Sequence, residues 1–164
     1  MWLVGMMGSG KTSVGKAVAN QVGVPFYDTD LMVTEMACLP IPEIWDGVGE
    51  EGFRRLENQV VAAIPESGVI VAAGGGAVLS KRNRERMTRD GVVVWLRCDP
   101  ELLAKRIAGQ GDRPLLEKGD IPETLTSIFE QRAPLYEEVA THIIDTDDLS
   151  IEDIVLEVVE VWEQ

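Results

Sequence analysis

Apolar and polar positions along this chain switch repeatedly between two periods. Short apolar runs occur at Trp2-Leu3-Val4, at Val24-Pro25-Phe26-Tyr27, from Val69 to Ala73, from Val92 to Leu96, and at His142-Ile143-Ile144-Asp145. Runs this short, bounded by turn formers, read as strands, and the continuous character of the third implies cover on both faces. Between them the apolar positions recur at helical spacing. Val14, Ala17, Val18 and Val22 mark a helix over 13–22, and Phe53, Leu56, Val60 and Ile64 mark one over 49–64. Asp99 and Pro100 open a helix through Ile107 as N-cap and first-turn residue. Another starts at Pro122, with Leu125, Ile128, Phe129, Leu135 and Val139 inward and a kink expected at Pro134. Ile151, Ile154, Val155, Val158, Val159 and Trp162 form the last stripe, behind a capping box of Ser150 and Asp153. Strands alternating with helices predict an α/β fold, a parallel sheet covered by helices. Residues 109–120 are polar and rich in breakers, so a mobile loop is expected there. No repeat or linker interrupts the pattern, and 164 residues make one domain, 1–164.

Charge narrows the partners. The formal net charge is −13, which argues against a nucleic-acid partner, since such binding normally needs a basic face. After Arg132 there is no Lys or Arg while acidic residues continue to Glu163, a solvated acidic surface. No apolar run approaches a membrane span, no export signal is visible, and a cytoplasmic protein is expected. Cys38 and Cys98 are far apart and read as small buried thiols. The lone His142 cannot build a histidine-rich metal site. If such an acidic chain binds polyphosphate, it must concentrate its few cations at the site.

Such a site is written into the first turn. Gly5-Met6-Met7-Gly8-Ser9-Gly10-Lys11-Thr12 fits G-x-x-x-x-G-K-[ST], between a predicted strand and a predicted helix. Glycines let the backbone turn tightly, and the helix N-terminus that follows points amides at anionic oxygens. In this motif Lys11 reaches the β- and γ-phosphates and the Thr12 hydroxyl holds Mg²⁺.

Four further groups are weaker one by one. Asp28-Thr29-Asp30 follows the second strand. If the chain stays extended, both carboxylates project past the end of the sheet, one toward Mg²⁺ and one toward an acceptor hydroxyl. A polar turn capped by Asp is the equal alternative. Arg54 and Glu57 stand at i, i+3, either an oriented guanidinium for a substrate carboxylate or an ordinary surface ion pair. Gly74-Gly75-Gly76 makes a weak turn unless something must approach the backbone closely. Arg113-Pro114-Leu115-Leu116 puts a cation in the polar loop, and Arg132-Ala133-Pro134-Leu135-Tyr136 puts another in the proline-containing helix.

With these motifs in this order, and with Ile44-Trp45 through Gly49-Glu50 to Phe53, the chain from Leu3 to about Thr146 resembles shikimate kinase. The resemblance implies a nucleoside-monophosphate-kinase-like fold with a five-stranded parallel sheet. It also implies a substrate-binding helical region about 31–62 and a lid about 109–120. It implies ATP binding by Gly8, Ser9, Gly10, Lys11, Thr12, Ser13, Arg106 and Arg113, with Arg106 on adenine. Mg²⁺ falls to Thr12 and Asp28, and shikimate to Asp30, Arg54, Arg132, Gly74, Gly75 and Gly76, walled by Trp45 and Phe53. Trp45 stands where the family more often has Phe. Catalysis falls to Lys11, to Asp30 at the acceptor hydroxyl, and to Arg113 on the transferring group. The segment Thr146–Ser150 departs from the family's second adenine-contacting loop. The implied activity is transfer of phosphate from ATP to the 3-hydroxyl of shikimate by a monomer, with no nucleic acid or membrane partner. A gluconate kinase of similar fold would share the phosphate loop but leave the other motifs unexplained. A binding protein without turnover is disfavoured because Lys11, Asp30 and Arg113 are all present. A regulatory GTPase is disfavoured because Asn-Lys-x-Asp is absent.

Overall fold

Strands β1 (Trp2–Val4), β2 (Phe26–Asp28), β3 (Ile70–Ala72), β4 (Val93–Arg97) and β5 (His142–Asp145) pair in parallel in the order β2-β3-β1-β4-β5. The computed structural model describes residues 1–89, 91–107 and 120–164. Helices α1 (Lys11–Val22), α2 (Thr29–Ala37), α3 (Ile41–Ala63), α4 (Lys81–Arg89), α5 (Pro100–Ile107), α6 (Ile121–Val139) and α7 (Ile151–Trp162) connect and cover the strands. From β1 the chain moves out to β2 and back to β3, then crosses to β4 on the other flank of β1. Loops leaving the carboxyl ends of β1 and its neighbours therefore diverge, which opens a crevice there. Register sets their heights: Leu3 and Asp28 both lie level with Ala72 of β3.

The alternation along each strand explains the two-sided core. Trp2, Val4, Val71, Val93 and Trp95 face one side, where residues of α3, α5 and α6 and Met87 of α4 cover them. Leu3, Ile70, Val94, Leu96 and Ile144 face the other, under α1 and α7. Each fully buried side chain of this kind contributes about 1.5–3 kcal/mol, so both layers are needed to offset chain entropy. A third cluster, Val33, Ile44, Phe53 and Val60, binds α2 to α3 beside the sheet. Among the described residues no helix is long and apolar enough to cross a membrane.

Three expectations change. The chain does not stay extended after β2: Asp28 Oδ1 accepts the amides of Asp30 and Leu31, and α2 begins at Thr29. Asp, with its short acceptor side chain, is among the best N-caps, and this preference overrides the strand-like alternation. Pro134 sits inside α6 without interrupting it; the carbonyl it leaves without an amide belongs to Glu130, an exposed residue. Cys98 is buried, but Cys38 is exposed, at the left-handed residue that ends α2. The expected mobile loop 109–120 lies outside the described residues except for Asp120, which caps α6 by accepting the Glu123 amide.

Candidate active site

The phosphate loop leaves β1 and becomes α1 at Gly10, whose φ of 92° is open to glycine and strained for other residues. No side chain caps α1. Its first amides are left facing the crevice, at the positive end of the helix dipole. Lys11, 9% exposed, donates from Nζ to the Met6 carbonyl at 2.7 Å and toward Ser9 Oγ at 3.5 Å. Ser9 is buried beneath the loop.

Asp28 ends β2 and divides its carboxylate between two tasks. Oδ1 caps α2, while Oδ2 accepts from Thr12 Oγ1 at 2.7 Å. Of the two sequence readings of Asp28-Thr29-Asp30 the capped turn is the one observed, and Asp28 as a cap still faces the phosphate loop through its second oxygen. A cleft of about 270 Å³ is lined by Lys11, Thr12, Asp28, Asp30, Gly75 and Arg106, with Gly8, Gly10 and Ser13 also on its walls. Arg106, from α5, donates to the Thr146 carbonyl at 3.2 Å and to Cys98 Sγ at 3.4 Å.

The triple glycine leaves β3 where α2, α3 and α6 meet. A Cβ on Gly74 would come within 2.5 Å of Asp30 Oδ1 and 2.9 Å of Glu57 Oε1. One on Gly76 would collide with the Arg54 guanidinium, and one on Gly75 would lie 3.6 Å from Arg132 Nη1. Bare backbone is thus what lets a carboxylate pair and two guanidinia gather in one place. Arg54 donates to Glu57 Oε2 at 2.9 Å and to Glu50 at 3.4 Å. It also lies 5.9 Å from the Trp45 ring centroid and 5.4 Å from that of Phe53, rings themselves 5.6 Å apart. The surface-pair alternative is excluded, since Glu57 is 1% exposed. Burial pushes the Glu57 carboxyl up to about 7 against the pull of Arg54. Its Oε1 is buried without a hydrogen-bond partner. Arg132, on α6, is 5% exposed.

Three residues outside the sequence-derived set help to build the site. Thr29 Oγ1 accepts the Gly74 amide at 2.7 Å, and Tyr136 donates to the Gly75 carbonyl at 2.5 Å. Burial holds that phenol up to about 12. Glu57 is the third; its spacing from Arg54 signalled a partner, but only the fold shows that it is buried. Arg113 lies outside the described residues.

A family model for shikimate kinase matches residues 7–163. The chain is 45% identical over 161 residues to a shikimate kinase of Symbiobacterium thermophilum, covering 96% of this chain and 92% of that one. It is 42% identical over 152 residues to one of Thiobacillus denitrificans, covering 92% and 83%. A solved structure of the Acinetobacter baumannii shikimate kinase in complex with shikimate superposes with a TM-score of 0.94 at 34% identity, over 99% of this chain and 91% of that one. With a family model matching nearly the whole chain and relatives this similar over nearly their full length, the chain belongs to the shikimate kinase family.

Proposed function

We propose that the chain transfers the terminal phosphoryl group of ATP to the 3-hydroxyl of shikimate, giving ADP and shikimate 3-phosphate for aromatic amino-acid synthesis. The observation that carries this reading is the convergence of Arg54, Arg132 and Asp30 on the triple glycine beside the phosphate loop. A substrate with one carboxylate and neighbouring hydroxyls fits that set. Arg54, held by Glu57 and the Trp45 and Phe53 rings, grips the carboxylate together with Arg132. Gly74, Gly75 and Gly76 let the ring approach the backbone.

Asp30 accepts the proton of the attacking hydroxyl; its place beside both the glycines and the cleft supports this role, since a hydroxyl bonded to it would lie near the phosphate loop. The loop amides of Gly8, Ser9 and Gly10 and the start of α1 cradle the phosphates. Lys11 leaves the Met6 carbonyl to meet the β/γ oxygens, where its charge opposes the charge that builds up during transfer. Arg106, anchored by the Thr146 carbonyl, stacks on the adenine. Arg113 of the proposed lid supplies a second cation to the transferring group.

Thr12 and Asp28 fit Mg²⁺. A hydroxyl and a carboxylate 2.7 Å apart at the cleft wall suit an ion that takes one or two protein oxygens and completes its shell with phosphate and water. No cluster of three His, Cys, Asp or Glu competes as an all-protein cage among the described residues. When bound, the ion neutralises charge on the β and γ oxygens. Positioning and electrostatics supply the rest, without a covalent intermediate.

Parallel assays of ADP release with shikimate, gluconate, a nucleoside monophosphate and no acceptor test the reading. Turnover is expected with shikimate alone, and equal or faster release with gluconate would overturn it.

A further inference from the structure

Helix α4 is the most basic stretch of an acidic chain: Lys81, Arg82, Arg84, Arg86 and Arg89 fall within its nine residues. Two of these arginines have structural work. Arg84 donates to the Val78 carbonyl at 2.8 Å and pairs with Glu138. Arg86 donates to the Ile64 carbonyl just past the end of α3, at 2.5 Å, which clamps the two helices together. That clamp needs one guanidinium. Yet Arg82, Arg86 and Arg89 stand at i, i+4 and i+7 and, with Asn83 and a Glu85 that pairs with Lys81, wall a groove of about 510 Å³ between α3 and α4. None of its lining residues belongs to the phosphate cleft. The opposite wall and floor are Asn58, Val61, Ala62, Ile64 and Pro65, polar at one position and apolar at the rest.

Glu66 sits at the rim. Its carboxylate lies 3.0 Å from Arg86 Nη1 and 3.6 Å from Arg89 Nη2, although its side chain is 77% exposed. The pair with Arg89, exposed on both sides, is weak, whereas Arg86 is only 10% exposed and keeps its anion partner at the groove wall; Glu66 reaches it from the solvent side, where another anion can exchange with it. Deeper in the groove, Asn58 Oδ1 is buried without a hydrogen-bond partner. Unmatched buried amides are rare in folded proteins and mark a place where something polar belongs.

We propose that this groove is a second ligand site, for a small organic anion: a carboxylate or phosphate monoester on an apolar body. The anionic group takes the Glu66 position between Arg86 and Arg89, with Arg82 completing the wall. Its body lies on Val61, Ala62 and Pro65, and a polar substituent meets Asn58. Glu66 is the built-in stand-in that the ligand displaces. Guanidinium forks suit both anionic groups, so the carboxylate and the phosphate ester are separate arms of the test.

The test uses the full chain saturated with ADP, Mg²⁺ and shikimate, which fills the diphosphate and carboxylate positions of the catalytic cleft; binding at the vacant γ-phosphate position is told apart by shifts at the phosphate loop. Benzoate, phenyl phosphate and inorganic phosphate are titrated separately, followed by calorimetry and by backbone amide shifts. At least one organic anion is expected to saturate below about 10 mM, with shifts centred on 58–66 and 81–89. Replacing Arg82 and Arg89 together by Ala should weaken it roughly 10-fold or more, and Glu66→Gln should tighten it about 3-fold, with turnover unchanged in both. Absence of shifts in those segments up to that concentration overturns the site. So does an affinity indifferent to Glu66→Gln or to the double arginine variant. Inorganic phosphate binding as tightly as the organic anions overturns the apolar half of the proposal.

Discussion

Glu57 carries two carboxylate oxygens into a space that leaves the residue 1% exposed, and only Oε2 meets the Arg54 guanidinium. Burial wins over that attraction and raises its pKa from 4.5 to about 7. The folded chain then binds a proton that the unfolded chain has already released. Between pH 4.5 and 7 this group therefore lowers stability as pH rises, and above about 7 it adds no further slope. The full effect is on the order of 3 kcal/mol. Glu57→Gln keeps an acceptor for Arg54 and cannot titrate, so its melting temperature should gain on the parent's from pH 5 to 7.5. Parallel profiles for the two would show that Glu57 stays ionised. At Asp30 the chemistry is separable from binding. Asp30→Asn should lower kcat by roughly 10²-fold, the usual loss for a general base, while ATP affinity holds. Near-normal kcat would move proton acceptance to another residue.

Helix α3 contains a joint. Gly49 has φ 68° and ψ −179°, a conformation that costs other residues about 1–3 kcal/mol, while Gly47 is helical with nothing within 4 Å of its would-be Cβ. Two neighbouring Gly→Ala changes should therefore act in opposite directions. Gly47→Ala should stabilise by about 0.5–1 kcal/mol, and Gly49→Ala should destabilise by more than that while weakening shikimate binding. Urea titrations of both variants decide it, and equal shifts would mean that Gly49 carries no special backbone. Elements were legible to the extent that burial is periodic. The strands and the α7 capping box were readable because their patterns are local. Helix α4 was not, because Met87 is the only buried apolar residue among its nine. Helix α2 was hidden because Asp28-Thr29-Asp30 satisfies strand alternation and N-cap chemistry equally well in sequence, and only the folded chain shows that the cap forms.

Across the molecule, a parallel sheet brings together residues that are remote in sequence. Arg54 and Gly76, or Thr29 and Gly74, are neighbours only because β3 returns between β2 and β1. Motif types were therefore readable along the chain, whereas the burial of Glu57 and the Tyr136 bond to Gly75 required the assembled layers. Asp28 bonds to both halves of this site, and its divided carboxylate predicts that they respond as one thermodynamic unit. One of its oxygens serves Thr12, on the nucleotide side, and the other fixes the first turn of α2, which carries Asp30. A nucleotide that redirects Thr12 alters the carboxylate that sets the acceptor helix. Such coupling is reciprocal by necessity: the factor by which a non-hydrolysable ATP analogue changes the shikimate Kd must equal the factor by which shikimate changes the analogue's. Calorimetry in both orders should return one common factor different from unity, about 5-fold or more for a coupling of ordinary size. A factor of one would mean that the two substrates are read independently. Any other value means that neither dissociation constant is a property of its own pocket, and that an inhibitor's apparent affinity for the acceptor side depends on how much nucleotide the enzyme already carries.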